Sequence, residues 1–213
     1  MLLETPAMNL DIHYNSLAMF DSIFQFEDAL AEFTCAPYVV ATDCCTHAIE
    51  LALRIKSIKT TVFTPFTYLS IPMLMHKLDI KYKYAHEDKQ QWTGEYKFGG
   101  TNIWDSARTL RRDMYRPGEI QCLSFGHDKP LTIGRGGAIL LDDPDEYFLL
   151  KQMCYDGRDL KISPWQDQKI FHVGYHYRMT IEEAERGIEL LDNMSSTTTD
   201  KLYPDLRNVS IIT

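Results

Sequence analysis

Apolar positions recur along this chain at two spacings, and the two alternate. From Phe24 to Phe33 (FQFEDALAEF) they fall on one face of an amphipathic helix, and Tyr38 to Ala41 (YVVA) is a short apolar strand. Thr46 to Ile58 brings Ile49, Ala52, Leu53 and Lys56 to helical spacing, with Leu51 widening the apolar stripe. Thr61 to Thr64 (TVFT) reads as a strand ended by Pro65, and Tyr68 to Leu78 as a helix that tolerates Pro72 near its first turn. Ile80 to Tyr84 alternates like a half-buried strand. Short apolar strands follow at Asn102–Trp104, Ile120–Phe125 and Ala138–Leu141, and acidic helices at about 144–154 and 181–193. This alternation predicts an α/β fold, a mostly parallel sheet with helices on both faces. The stretch after the last helix, SSTTTDKLYPDLRNVSIIT, is polar and then weakly apolar. The expected division is a core of residues 1–194 and a C-terminal tail of residues 195–213.

Composition narrows the class. At 213 residues, 45% hydrophobic and 24% charged, the chain has a core to bury and is neither low-complexity nor wholly disordered. A net charge of −8 lacks the electrostatic footprint of a nucleic-acid binder. The cysteines are Cys35, Cys44, Cys45, Cys122 and Cys154, odd in number and without a C-x-x-C pair. A disulfide framework or a structural zinc site is not expected, and no metal site is. The N-terminal MLLETPAMNLDIHY has no basic region and no long apolar run, and no apolar stretch has the length of a membrane span. The expectation is a reducing, cytoplasmic setting without membrane contact.

In open α/β sheets ligands bind beyond the carboxyl ends of the strands, so the residues after each strand carry the candidate chemistry. After YVVA comes Thr42-Asp43-Cys44-Cys45-Thr46-His47, opening a helix. That turn is either a phosphate seat on the helix N-terminus or an ordinary cap by Asp43 or Thr46. After TVFT comes Pro65-Phe66-Thr67-Tyr68, whose aromatic either stacks on a flat ligand or packs. Asp105 ends an apolar strand and is an N-cap or a paired charge, with Arg108 or a protonated ligand nitrogen as partner. Residues 122–142 (CLSFGHDKPLTIGRGGAILLD) hang Lys129 between two strands, near Gly134, Gly136 and Gly137. A desolvated lysine there becomes an amine nucleophile toward carbonyls; the plainer reading is a hairpin with turn glycines.

In order, these segments resemble the DegT/StrS-type nucleotide-sugar aminotransferases, enzymes of the aspartate-aminotransferase fold. The resemblance spans roughly residues 24–192 and runs through Cys44-Cys45-Thr46, Pro65-Phe66-Thr67-Tyr68, Asp105-Ser106-Ala107, Ser124-Phe125 with Lys129 and Gly136-Gly137, and Gly174-Tyr175-His176-Tyr177-Arg178-Met179. It implies pyridoxal 5'-phosphate as cofactor, with Lys129 as the Schiff-base lysine and proton carrier. It further implies Asp105 on the pyridine nitrogen and Tyr68 stacked on the ring. Cys45, Thr46, His47 and Ser124 would hold the phosphate, and Arg108 would stand near the ring. His176 would reach the phosphate of a neighbouring subunit, which implies a homodimer with a shared active site. The implied reaction moves an amino group from an amino acid, glutamate foremost, to a keto-sugar nucleotide. Another pyridoxal-phosphate reaction and a non-catalytic binding scaffold stand as alternatives.

The chain departs from the family's pattern at Cys44-Cys45 and His47, which crowd the phosphate seat, and at Arg108 and His176. The stretch between Tyr84 and Asn102 leaves no room for the strand and helices that relatives place there, and the expectation is a core without the family's small C-terminal domain. Arg135 is either a solvated turn residue or a substrate-phosphate contact. Arg178 either braces a loop or interface or binds a carboxylate.

Overall fold

A computed structural model describes residues 20–86, 93–194, 197–198 and 202–212, so the N-terminal MLLETPAMNLDIHY lies outside the described residues. In chain order the elements are α1 (Asp21–Thr34), β1 (Tyr38–Thr42), α2 (Cys45–Ile55), β2 (Thr60–Phe63), α3 (Ser70–Lys77) and β3 (Lys81–Tyr84). Then come β4 (Tyr96–Lys97), β5 (Ile103–Asp105), β6 (Thr109–Leu110), β7 (Ile120–Ser124), β8 (Gly137–Leu141), α4 (Pro144–Cys154), α5 (Ile181–Asp192) and β9 (Thr197–Thr198). The α/β alternation read from the hydrophobic pattern is borne out. Helix α3 starts later than its pattern because Tyr68 and Leu69 form the turn that leads into it, the Tyr68 carbonyl accepting from the Ile71 N–H at 3.0 Å.

The main sheet has the order β1-β8-β7-β5-β4. Its directions correct the expectation of a mostly parallel sheet. Among the described residues only β5 and β7 pair in parallel there, whereas β1–β8, β7–β8 and β4–β5 are antiparallel. Residues 98–102 join β4 to β5 and residues 125–136 join β7 to β8, neither with a crossover helix, and a chain that returns without one lies antiparallel. Strands β2 and β3 pair in parallel as a sheet of their own. The short 84–102 stretch still supplies a strand, the two-residue β4, and bridges the sheets. Gly99 N–H donates to the Val62 carbonyl at 2.7 Å, and Thr61 Oγ1 donates to the Gly99 carbonyl at 3.1 Å.

Helix α2 covers β8, β7 and β5 with Ala48, Ile49, Leu51, Ala52 and Leu53, all buried. Helix α1 packs on β1 and against α5, where Gly187 leaves space for the Phe26 ring. The edge of β1 is closed by a buried charge pair. Glu27 accepts from the Ala41 N–H at 2.8 Å and takes Lys151 Nζ on both carboxylate oxygens, at 2.8 and 2.7 Å. Among the described residues no helix is long and apolar enough to cross a membrane.

Removing one member of a buried pair strands the other charge without water. Lys151→Ala should therefore cost about 3 kcal/mol of stability, read as a lower urea midpoint. Glu27→Gln with Lys151→Met should recover much of that loss; equal midpoints for Lys151→Ala and the native chain would contradict the assignment.

Candidate active site

The carboxyl ends of β5 and β7 and the N-terminus of α2 meet around a cavity of about 320 Å³. Cys44, Cys45, Thr46, Tyr68, Asp105, Ser124 and Lys129 line it, joined by Ser70, Asp128 and Tyr203. Backbone contact without side chains brings the three ends together. Gly137 pairs with Ser124 across β7–β8, and a Cβ on Gly137 would lie 2.5 Å from the Cys45 nitrogen and 2.6 Å from the Cys44 carbonyl carbon. Gly136 has a φ of +118°, and a Cβ there would lie 2.5 Å from Met179 Cε.

Lys129 hangs from the turn between β7 and β8. That turn is held by the Ile133 and Gly134 N–H groups, both donating to the Phe125 carbonyl, at 3.1 and 2.9 Å. The Lys129 side chain is 9% exposed. Nζ donates to the Tyr203 hydroxyl at 2.6 Å and stands 4.0 Å from Asp128 Oδ1. Burial, and then the nearby Arg108 cation, hold the ammonium below its ordinary range. A lysine in this state has a larger neutral fraction at working pH than a solvated one.

Asp105 ends β5 inside the cavity, buried. Its carboxylate accepts from the Ala107 N–H at 3.0 Å and from the Tyr96 hydroxyl at 3.0 Å, and Tyr96 is held in turn by Thr67. Burial pushes its pKa up, against those hydrogen bonds and the charges of Lys129 and Arg108. Arg108 is buried beside the cavity, donating to Asp128 Oδ2 at 3.2 Å with its guanidinium 4.4 Å from the Tyr203 ring centroid. Tyr68 stands on the rim, 58% exposed, where a ring face is open to a flat ligand.

At the N-terminus of α2, Thr46 Oγ1 and Ser70 Oγ are 2.8 Å apart. Ser70 carries no motif of its own and lies within the helix that the pattern starts at Tyr68, so its place at the opening of α3 comes from the structure alone. His47 lies behind the cavity wall. Its Nδ1 is 2.6 Å from Asp43 Oδ1, and its ring stacks on Tyr177 at 3.6 Å. Burial works against the imidazolium, but the hydrogen bond to Asp43 and the neighbouring Cys44 outweigh it and push His47 up to about 9. Arg135 Nη2 reaches Asp43 Oδ2 at 2.9 Å. Asp43, Cys44 and His47 place ligand atoms within 4.8 Å of one another, with the Asp43 carboxylate already shared between an imidazolium and a guanidinium. His176 also lies apart from the cavity, exposed and 3.0 Å from Asp156.

Residues 8–94 and 109–202 match the sequence model of the DegT/DnrJ/EryC1/StrS aminotransferase family. The stretch 95–108, which holds Asp105 and Arg108, falls between the two matched parts. None of the curated protein sequences matches the chain. Among solved structures, the sugar aminotransferase CalS13 from Micromonospora echinospora superposes with a TM-score of 0.64 at 16% identity, covering 90% of this chain and 69% of that one. 3-Amino-5-hydroxybenzoic acid (AHBA) synthase gives 0.65 at 18% identity, with 91% and 64% covered. PseC of Helicobacter pylori, an aminotransferase involved in the biosynthesis of pseudoaminic acid, gives 0.67 at 14% identity, with 88% and 64% covered. At these identities the likeness shows the fold, and the chain spans about two thirds of the length of each neighbour.

The His47–Asp43 contact predicts a pH signature. A folded pKa of about 9, above the unfolded value near ~6.5, gives stability that is full below the lower value and lost as pH rises through the higher. Asp43, held low by His47 and Arg135 against its burial, adds stability that is lost only as pH falls through its folded value. With His47 a quarter exposed, His47→Gln should cost on the order of 2 kcal/mol at pH 6 and nearly nothing at pH 10. Urea unfolding at the two pH values checks this.

Proposed function

The chain belongs to the DegT/DnrJ/EryC1/StrS aminotransferase family, and on that premise we propose that it moves an amino group from an amino acid, glutamate foremost, onto a keto-sugar nucleotide, with pyridoxal 5'-phosphate as cofactor. The observation that carries this reading is Lys129: a nearly buried amine, held below its ordinary pKa, in the same cavity as the buried Asp105 carboxylate.

The donor set fits the cofactor. Asp105, which accepts from Tyr96 and Ala107, would hold a proton on the ring nitrogen, and that charge would offset the burial that pushes its pKa up. Tyr68 would cover a ring face. The N-terminus of the eleven-residue α2, with Thr46 and the Ser124 hydroxyl at the end of β7, would hold the phosphate. Arg108, buried and cationic, would face the ring's phenolic oxygen. When bound, the cofactor supplies a carbonyl that captures amino groups and a ring that draws electrons away from the substrate carbon.

Lys129 Nζ then has two tasks, attachment and proton transfer at the substrate α-carbon, and both need the neutral amine. Burial and Arg108 shift the amine toward that form. Cys45 does not take part as a thiolate, because burial pushes its thiol well up.

His176, exposed and away from its own cavity, supports a homodimer in which it serves the partner's phosphate seat. So does the apolar run before it: Ile162, Trp165, Ile170, Phe171 and Val173 are all exposed, Ile170 at 82% and Val173 at 79%. The free thiols of all five cysteines support a cytoplasmic setting. Arg108 also favours a second reading, another pyridoxal-phosphate reaction such as sugar dehydration or transfer to a different ketone; an acceptor panel separates the two.

Added pyridoxal phosphate should give the purified chain a visible absorbance band, and borohydride reduction should leave the cofactor's mass on the Lys129 peptide. Lys129→Ala should show neither, and glutamate should bleach the band in the native chain. A chain that stays colourless and unlabelled at millimolar cofactor would end the proposal.

A further inference from the structure

The segments that follow α5 touch both walls of the cavity. On one side β9 pairs with β6, Thr109 facing Thr198, one residue from Arg108. On the other, buried Leu206 donates its N–H to the Pro65 carbonyl at 3.0 Å, on the segment that leads to Tyr68. Asp205 caps the turn there by accepting from the Arg207 N–H at 3.0 Å, and Arg207 stands 5.7 Å from the Phe66 ring centroid.

Tyr203 stands between these anchors, half-buried in the cavity lining. Its ring lies 4.4 Å from the Arg108 guanidinium carbon and 5.7 Å from the Tyr68 ring, tilted by 51°. Lys129 Nζ is 2.6 Å from its hydroxyl but 5.3 Å from its ring centroid, so the amine meets the tyrosine at the oxygen and not over the face. The family match ends at residue 202 and does not include Tyr203.

We propose that Tyr203 is a positioning residue of the site: its hydroxyl holds the Lys129 amine whenever that amine is free, accepting an N–H and leaving the nitrogen's lone pair unengaged. The meaning of this contact for amino transfer rests on Lys129 being the reacting amine, as read above. In such a transfer the Lys129 amine would have to be free while substrate is bound, with its nitrogen within reach of the proton it would move. A released lysine side chain regains its rotamers unless something holds its end. Tyr203 supplies a hydroxyl within hydrogen-bond distance of Nζ. It acts by position and not as a base, because burial pushes its own ionisation far up, and it stays neutral.

The charged and titratable groups that face Nζ are Arg108, Asp128, Asp105, Cys45 and Tyr203. An acceptor on the amine favours its protonated form, since hydrogen bonds to the charged state raise a lysine's pKa. Removing the hydroxyl while keeping the ring should therefore lower the pKa of Lys129 further. Limited acetylation with acetic anhydride across pH, quantified peptide by peptide by mass spectrometry, reads this in the full chain with no cofactor added. In Tyr203→Phe the Lys129 midpoint should fall by roughly half to one pH unit, a contact to a charged group partly replaced by water, while Lys97 and Lys161 keep theirs. An unmoved midpoint would show that the hydroxyl does not hold the amine. A rise would show that the hydroxyl donates to the lone pair, and would overturn the assigned direction. The two readings fail separately. If pyridoxal phosphate never attaches to Lys129 but the midpoint falls, amino transfer is lost and the Tyr203 contact stands. If it attaches and the midpoint does not move, the contact is lost and amino transfer stands.

Discussion

Three backbone segments converge at Gly136 and Gly137 more closely than any side chain allows, and the site is built on that approach. With a Cβ on Gly137 the Cys45 nitrogen would be 2.5 Å away, so β8 could not lie against the start of α2. The contact sets the helix N-terminus beside Ser124 at the end of β7, and the β7–β8 turn then delivers Lys129 into the same space. Gly137 meets α2 backbone to backbone, and Gly136 is packed by the Met179 and Phe125 side chains, so the junction is filled on both sides.

A chain of polar contacts extends from the wall of this cavity to the Gly174–Met179 segment. Glu50 is fully buried on α2 and takes Arg54 at 2.8 Å and Lys77 at 2.7 Å. Lys77 also donates to the Tyr177 hydroxyl at 3.0 Å, Tyr177 stacks on His47, and His47 and Arg135 share Asp43. The Asp43 N–H closes the circuit by donating to the Tyr177 carbonyl at 2.7 Å. A buried carboxylate with two cations is satisfied, and each member constrains the next. His47 and Arg135 thus brace the turn that Cys44 and Cys45 occupy, which explains how a bulky His47 sits beside the cavity without filling it. Arg135, open to two readings from its sequence setting, is an ion-pair partner of Asp43 here.

Much of this was legible before any coordinates. The helical stripe of α2, the apolar strands β1, β7 and β8, and the acidic helix α4, capped by Asp143 accepting from Asp145 and Glu146, follow from local pattern. Lys129, Asp105, Ser124, Thr46 and Tyr68 stand at strand or helix ends, where α/β geometry collects them. Ser70 carried no signal, because the pattern starts its helix at Tyr68 and the structure starts it at Ser70. Strand directions escaped because apolar runs look alike in parallel and antiparallel pairs; the two-residue strands β4, β6 and β9 escaped because they are too short to show a period.

The sequence by itself determined which segments fold as helix or strand and which chemistry-bearing residues sit at their ends, because both are set by neighbours within a turn or a pleat. Only the tertiary structure decided that a tyrosine 74 residues from Lys129 meets its amine. It alone decided that the segments after α5 reach across the cavity, and that burial together with Arg108 lowers the lysine's charge affinity. Those outcomes depend on distances through space and on the exclusion of water, and no local pattern along the chain encodes either.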